Sequence, residues 1–189
     1  MRPTSGRFET PILFLHLAAA ALVIGPVSFF GAVVAPAAFR VLPTRDMAAA
    51  LVSPVLARAC TLAEVSFGIL FATSWWLTRA GVPRLTRSLM TRLPVVGFFA
   101  VLVIRELLIP GIDRIRAEAP GLIDSLPAAD PSRLLLERYH RLATGFFTAA
   151  LAVGVVVLVL TARLLAVNRA APVAPSASRP EVPKLLDLS

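Results

Sequence analysis

The chain has 189 residues, 57% of them apolar and 16% charged, with a mean hydropathy of +0.80; an ordinary soluble domain is about 45–50% apolar and about 25% charged. This excludes a wholly disordered chain, which needs low hydrophobicity and high charge, and the single cysteine excludes an internal disulfide framework or a multi-cysteine zinc or iron–sulfur site. The net charge of +8 points toward nucleic acid only until it is sorted by position.

A hydrocarbon core about 30 Å thick needs about 20 mostly apolar residues per spanning helix. Stretches poor in Arg and Lys locate four. From Phe8 to Phe39 there is no basic residue and only Glu9 and His16 are strongly polar, which puts span one at residues 12–35. It is too long for the apolar part of a signal peptide, about 7–15 residues, so an uncleaved helix is expected. Pro26 should kink it unless neighbours satisfy the freed carbonyl. Span two is 59–78, with one charge, Glu64, and closes on Trp75 and Trp76, which read as interfacial anchors. Span three, 93–112, is interrupted by Arg105 and Glu106 and is expected to be the weakest. Span four, 142–162, carries no charge. Barrel strands alternate apolar and polar residues over about 10 positions; these runs are continuous and longer. The predicted fold is an all-α, up-down, integral membrane four-helix bundle formed by 1–167, with a flexible cytoplasmic tail at 168–189, where Pro, Ala and Ser dominate.

Two connections lie on the side away from the termini. In the first, 36–58, Thr44 can cap a helix whose Met47, Leu51 and Val55 share a face; that helix extends span two outward. The second, 111–139, breaks at Pro120-Gly121 and restarts at Asp130-Pro131, an N-cap followed by proline at the first helical position. The restarted helix should run into span four. Small-residue steps in span one (Ala21/Gly25, Ser28/Ala32, Gly31/Ala35) and span four (Gly145/Ala149, Ala150/Gly154) suit close helix packing, within the chain, in a homo-oligomer or against a partner helix. No long internal repeat is evident.

Four spans put both termini on one side. The short loop between spans two and three holds Arg79, Arg84, Arg87 and Arg92 and no acid, so the positive-inside rule places it and the termini in the cytoplasm, of a bacterial inner membrane. Sorted this way, the cytoplasmic side carries +7 and the outer side +1. Topology and anionic lipid account for that excess without nucleic acid.

An ionisable group inside a span is costly and needs a partner. Glu64 lies about 7.5 Å from the outer end of span two, and Arg105 about 10 Å from that of span three, at 1.5 Å per residue. The depths match, and a Glu64–Arg105 pair is expected. It is either a structural pair that fixes helix register or part of a site for an ion, a proton or a head group. Glu106, adjacent to Arg105, should point elsewhere, toward Arg138 or His140. With His140 and Arg141 near the same face, the expected site is an outer-leaflet polar cluster of Glu64, Arg105, Glu106, His140 and Arg141. His16 and His140 sit at opposite faces and cannot share a metal or a haem; each reads as a hydrogen-bonded interfacial histidine. Cys60 reads as a small apolar packer. No glycine-rich phosphate loop, zinc-histidine pair or nucleophile motif is present, so no enzyme and no cofactor are expected. The leading expectation is a membrane protein handling a solute or ion at the outer cluster. The alternative is a metal- or haem-binding redox protein that uses His16 or His140.

Several segments carry a family resemblance: Phe14-Leu-His-Leu-Ala, Ile24-Gly25, Val34-Ala35-Pro36-Ala37-Ala38-Phe39 and Leu42-Pro43 in and after span one, Ile109-Pro110-Gly111-Ile112 with Ile115-Arg116, and Glu137-Arg138-Tyr139-His140-Arg141-Leu142. Together they resemble a bacterial family of unknown function related to eukaryotic transmembrane protein 205, over about residues 12–165. The chain departs from it with Tyr139 before His140, and with Ala143 and Thr144 where a serine is expected. The resemblance implies a four-helix membrane protein with no established reaction. The opening His-to-Gly stretch is also similar to copper-resistance D-type membrane proteins, which would need more metal ligands than this sequence offers.

Overall fold

The structure is a computed structural model and describes residues 6–79 and 82–170. Those residues are helical, with no strand among them. Helix α1 (Gly6–Phe29) passes through a π-helical turn (Phe30–Val34) into α2 (Ala35–Val41). Helix α3 (Arg45–Leu77) follows, then α4 (Arg84–Val103), a second π-helical turn (Ile104–Leu108) and α5 (Ile109–Glu118). A 3₁₀ turn (Ile123–Ser125) leads to α6 (Pro131–Ala170). Four stretches are long and apolar enough to cross a membrane: Thr10–Val41, Arg45–Leu77, Arg84–Glu118 and Pro131–Val167, of 32–37 residues. Their best windows reach mean hydropathies of 2.2, 1.6, 2.2 and 2.5 in chain order. Span three is therefore not the weakest; span two is, because the Val, Leu, Ile and Phe residues on both sides of Arg105 and Glu106 outweigh the two charges. At 1.5 Å per residue the helices measure roughly 48–56 Å, against about 40–45 Å for a bilayer with its head groups. They exceed the predicted spans, and their ends project.

Each helix packs on the next around a four-membered ring: α1 on α3, α3 on α4, α4 on α6, and α6 back on α1. The end of the bundle that holds Gly6, Leu77, Arg84 and Ala170 is the terminal end, and the other the distal end. Phe67, Leu70, Met90, Ile104, Val23, Val101 and Val157 are fully buried along the axis. The outward faces carry Phe14, Phe29, Val65, Val96, Phe99 and Val156, all exposed. A soluble monomer seldom exposes contiguous apolar patches above a few hundred Å²; lipid is the solvent that suits these faces.

The predicted helix starts are present. Met47 N–H donates to Thr44 Oγ1 at 3.2 Å, and Ser132 N–H to Asp130 Oδ1 at 2.8 Å. α3 and α6 each run unbroken from the distal connection into the span, and α6 continues to Ala170, three residues into the segment read as tail. Residues 171–189 of that tail lie outside the described residues. Met47, Leu51 and Val55 share a face as expected; it is the exposed one, and Ala48 and Ala49 are buried. In a membrane the large apolar residues can face lipid while small ones let backbones approach. The small-residue steps need correction: Ala21/Gly25, Ser28/Ala32 and Gly145/Ala149 are exposed rather than at a helix contact, whereas Ala150 and Gly154 are buried, Gly154 against α1. A Cβ on Gly154 would lie 2.9 Å from Val23 Cγ1.

The two π-helical turns share a cause. Ala35 N–H donates to Phe30 O, and Ile109 N–H donates to Ile104 O, each five residues back. The next residue is proline in both, Pro36 and Pro110. Proline has no N–H, and its ring presses on the carbonyl four residues back. A widened turn just before it relieves that contact while keeping the preceding N–H bonded. Spans one and three run in the same direction, so both widened turns fall in the distal half of the bundle. Segments 30–40 (FGAVVAPAAFR) and 104–114 (IRELLIPGIDR) align with Pro at the same place and Arg four residues after it. This short repeat went unnoticed in the sequence because the intervening residues differ.

Candidate functional site

Glu64 and Arg105 meet as expected. Arg105 Nη1 lies 2.6 Å from Glu64 Oε2 and also donates to Thr61 Oγ1 at 3.3 Å. Glu64's side chain is 8% exposed and Arg105's 30%. The second carboxylate oxygen, Glu64 Oε1, is buried without a hydrogen-bond partner. Glu106 departs from expectation. It turns back to Arg105, with Nε donating to Glu106 Oε1 at 2.7 Å and Nη2 at 2.7 Å from the same oxygen. Both residues lie in the second π-helical turn, and their long side chains reach along the helix surface to meet. One guanidinium thus joins a buried and an exposed carboxylate. Cys60 is buried on the same stretch of α3.

His140 and Arg141 stand apart from this triad. His140 lines two distal cavities, of about 460 and 390 Å³, which also share Phe39, Ile112 and Arg116. Arg141 is exposed and lines neither. The larger cavity is the polar one and opens among Arg45, Asp46, Arg116, Arg133 and Glu137. The smaller continues toward the bundle between spans one and four, lined by Phe30, Gly31, Ala49, Leu56, Ile104, Ile109 and Phe147 among others. Both π-helical turns contribute to this lower chamber through Phe30, Gly31 and Ile104. π-turns recur at functional sites because they re-aim side chains. Phe30 and Phe147 close its floor edge-to-face, 5.7 Å between centroids.

The cavity walls are single helix faces. On α5 they are Ile109, Ile112 and Arg116; on α6, Arg133, Leu136, Glu137, His140, Ala143, Thr144 and Phe147; on α3, Ala49, Val52, Ser53 and Leu56. These are helical spacings, with charge at the distal end of each face and apolar or small residues deeper. Sequence reasoning missed Asp46, Arg116, Arg133 and Glu137 because it sought charges inside spans. The gradient from charge to apolar along one face was the signal.

The polar mouth is incompletely paired. Arg116 Nε lies 3.9 Å from Asp46 Oδ1, too far for a hydrogen bond. Arg116 Nε and Asp46 Oδ2 are both buried without a hydrogen-bond partner, and unmet polar groups of this kind are costly. Nearby, Arg133 Nη1 donates to Leu126 O at 3.0 Å, and Ser53 Oγ to Asp113 Oδ1 at 3.3 Å.

His16, at the terminal end, is not interfacial. It is fully buried between α3 and α6, with Nδ1 2.8 Å from Thr73 Oγ1 and Nε2 2.9 Å from Thr161 Oγ1. Both hydroxyls also reach their own helices, Thr73 to Ile69 O at 2.7 Å and Thr161 to Val157 O at 2.8 Å. A neutral imidazole has one donor and one acceptor. It therefore donates to one threonine and accepts from the other, pinning three helices at one point. Beyond it, the Arg79 guanidinium stacks over Trp75 and Trp76, at 3.8 and 4.4 Å from the ring centroids, a cation–π contact suited to a membrane–water boundary. No family model, no characterised protein and no solved structure matches this chain.

Proposed function

We propose that this four-span membrane protein binds a small charged or zwitterionic solute at the distal end of its bundle, without catalytic chemistry of its own. The observation that carries this reading is the pair of adjoining cavities, the larger lined by Arg45, Asp46, Arg116, Arg133 and Glu137 and the smaller by mainly apolar residues, with Arg116 and Asp46 facing each other at 3.9 Å without a hydrogen bond. Ligand sites are typically concave, mostly apolar, with a few convergent polar groups, and about 300–1,000 Å³ in volume. The Glu64–Arg105–Glu106 triad then serves as the clamp between α3 and the second π-helical turn. It lines neither cavity, so its role is to hold the wall that Ile104 contributes. The arginine-rich 79–92 segment and the Trp75–Trp76 pair support a cytoplasmic terminal end in a bacterial inner membrane. A metal or haem role on His16 has less support, because both its ring nitrogens are engaged. Among the described residues, no three His, Cys, Asp or Glu side chains group as ligands.

The test is thermal unfolding of the full chain in detergent with inorganic phosphate, acetate, glycine betaine and phosphoethanolamine. A solute at a hundred times its Kd stabilises by about 2.7 kcal/mol, or about 5–10 °C for a chain of this size. At least one should do so in the wild type and not in Arg116→Gln. A flat response to all four would overturn the proposal.

A further inference from the structure

Arg92 stands on the lipid-facing side of α4. Its neighbours on the same helical face are Leu85, Leu89, Val96 and Phe99, and all five residues are exposed. Its depth follows from a packing contact. Gly97 of α4 meets Phe67 of α3, and the two helices are antiparallel. Counted away from that contact, Trp75 on α3 is level with Leu89 on α4. Arg92 therefore lies about 4.5 Å deeper than Trp75, at 1.5 Å per residue, on the hydrocarbon side of the Trp75–Trp76 anchors. A charge at that depth needs a partner. Arg92 makes no hydrogen bond or ion pair with any described residue. Among the described side chains, no carboxylate lies at the terminal end. Side chains leave a helix tilted toward its N-terminus, and α4 starts at the terminal end. The long stem of Arg92 can thus lift its guanidinium toward the head-group layer while its carbons stay among apolar neighbours.

We infer that Arg92 anchors an anionic phospholipid in the leaflet at the terminal end, with the lipid phosphate on its guanidinium and the acyl chains along Val96 and Phe99. A guanidinium matches a phosphate with paired, charge-assisted hydrogen bonds. Every phospholipid carries a phosphate, so the choice among them falls to the rest of the head group. Arg79, Arg84, Arg87 and Arg163 are exposed at the same end. An ethanolamine or choline head group brings a cation into that basic surface, whereas a neutral glycerol head group leaves the lipid with a net negative charge and is favoured. The distal cavities take no part in this contact, so it stands or falls independently of the solute site.

The experiment is native mass spectrometry of the full chain released from nanodiscs holding equal parts of phosphatidylglycerol, phosphatidylethanolamine and phosphatidylcholine with matched chains. Phosphatidylglycerol should be retained about fivefold over either competitor, the worth of one basic residue at an anionic surface. Arg92→Gln and Arg92→Leu should each bring the three lipids near parity. Leucine matches the neighbours of Arg92 on its face, so Arg92→Leu keeps the test available if Arg92→Gln folds poorly. Arg87→Gln is the control: Arg87 is exposed on the same helix, five residues earlier and off that face, and its loss should leave most of the preference in place. Equal retention by the wild type, a preference for a zwitterionic lipid, or a phosphatidylglycerol preference that survives both Arg92 variants overturns the inference. A loss in Arg87→Gln as large as that in the Arg92 variants also overturns it, because the preference would then belong to the basic surface as a whole and not to a site at Arg92.

Discussion

Arg105 grips Glu64 across the α3–π-turn contact at 2.6 Å, and the two residues are unequally exposed. That asymmetry governs what each substitution does. Losing Arg105 strands a carboxylate that is almost wholly buried, whereas losing the Glu64 charge leaves Arg105 with Glu106 and Thr61. Leaving a buried charge without its partner is costly. We expect Arg105→Gln to destabilise the chain clearly more than Glu64→Gln does. The double variant should be more stable than Arg105→Gln alone. Reversible unfolding in bicelles reads all three, and additive losses would show the pair to be uncoupled.

His16 offers a second cycle. In His16→Leu, both threonine hydroxyls fall back on their own helix carbonyls, so no polar atom is orphaned. Interhelical hydrogen bonds in membranes average about 0.6 kcal/mol, so this variant should lose about 1 kcal/mol. His16→Ala should lose about 2–4 kcal/mol, since it adds a cavity. Once His16 is Leu, Thr73→Val and Thr161→Val should each cost far less than they do in the wild type.

Three glycines separate packing from propensity. A Cβ on Gly97 would overlap the ring of Phe67, which is fully buried and has nowhere to go. Gly97→Ala should cost about 1–3 kcal/mol through overpacking. At Gly111 the overlap is with Tyr139, a partly exposed ring that can swing aside, and the cost should be smaller. Gly145 meets nothing within 4 Å, and Gly145→Ala should be neutral or stabilising by up to about 1 kcal/mol from helix propensity. Unfolding midpoints of the three variants test the order.

The all-α bundle was legible because a membrane span is set by length and apolarity, both one-dimensional properties. The Glu64–Arg105 pair was legible because depth along two antiparallel helices can be counted in residues. Rotation about the helix axis was not. It decided that Met47 and Leu51 face outward, that Glu106 turns to Arg105, and that His140 lines a cavity while Arg141 does not. Two widened turns add a residue to the helical count, so a regular 3.6-residue wheel drawn through span one or three is out of phase beyond Phe30 or Ile104. His16 shows the same limit. Its height near the terminal end was clear, but its burial depended on Thr73 and Thr161 arriving from two other helices.

A crystal structure of the full chain soaked with the solute that stabilises it most tests the distal site most directly. Ligand density is predicted in the cavity lined by Asp46, Arg116, Glu137 and His140. A collapsed chamber, or density for that solute elsewhere on the chain and none there, would contradict a distal binding site.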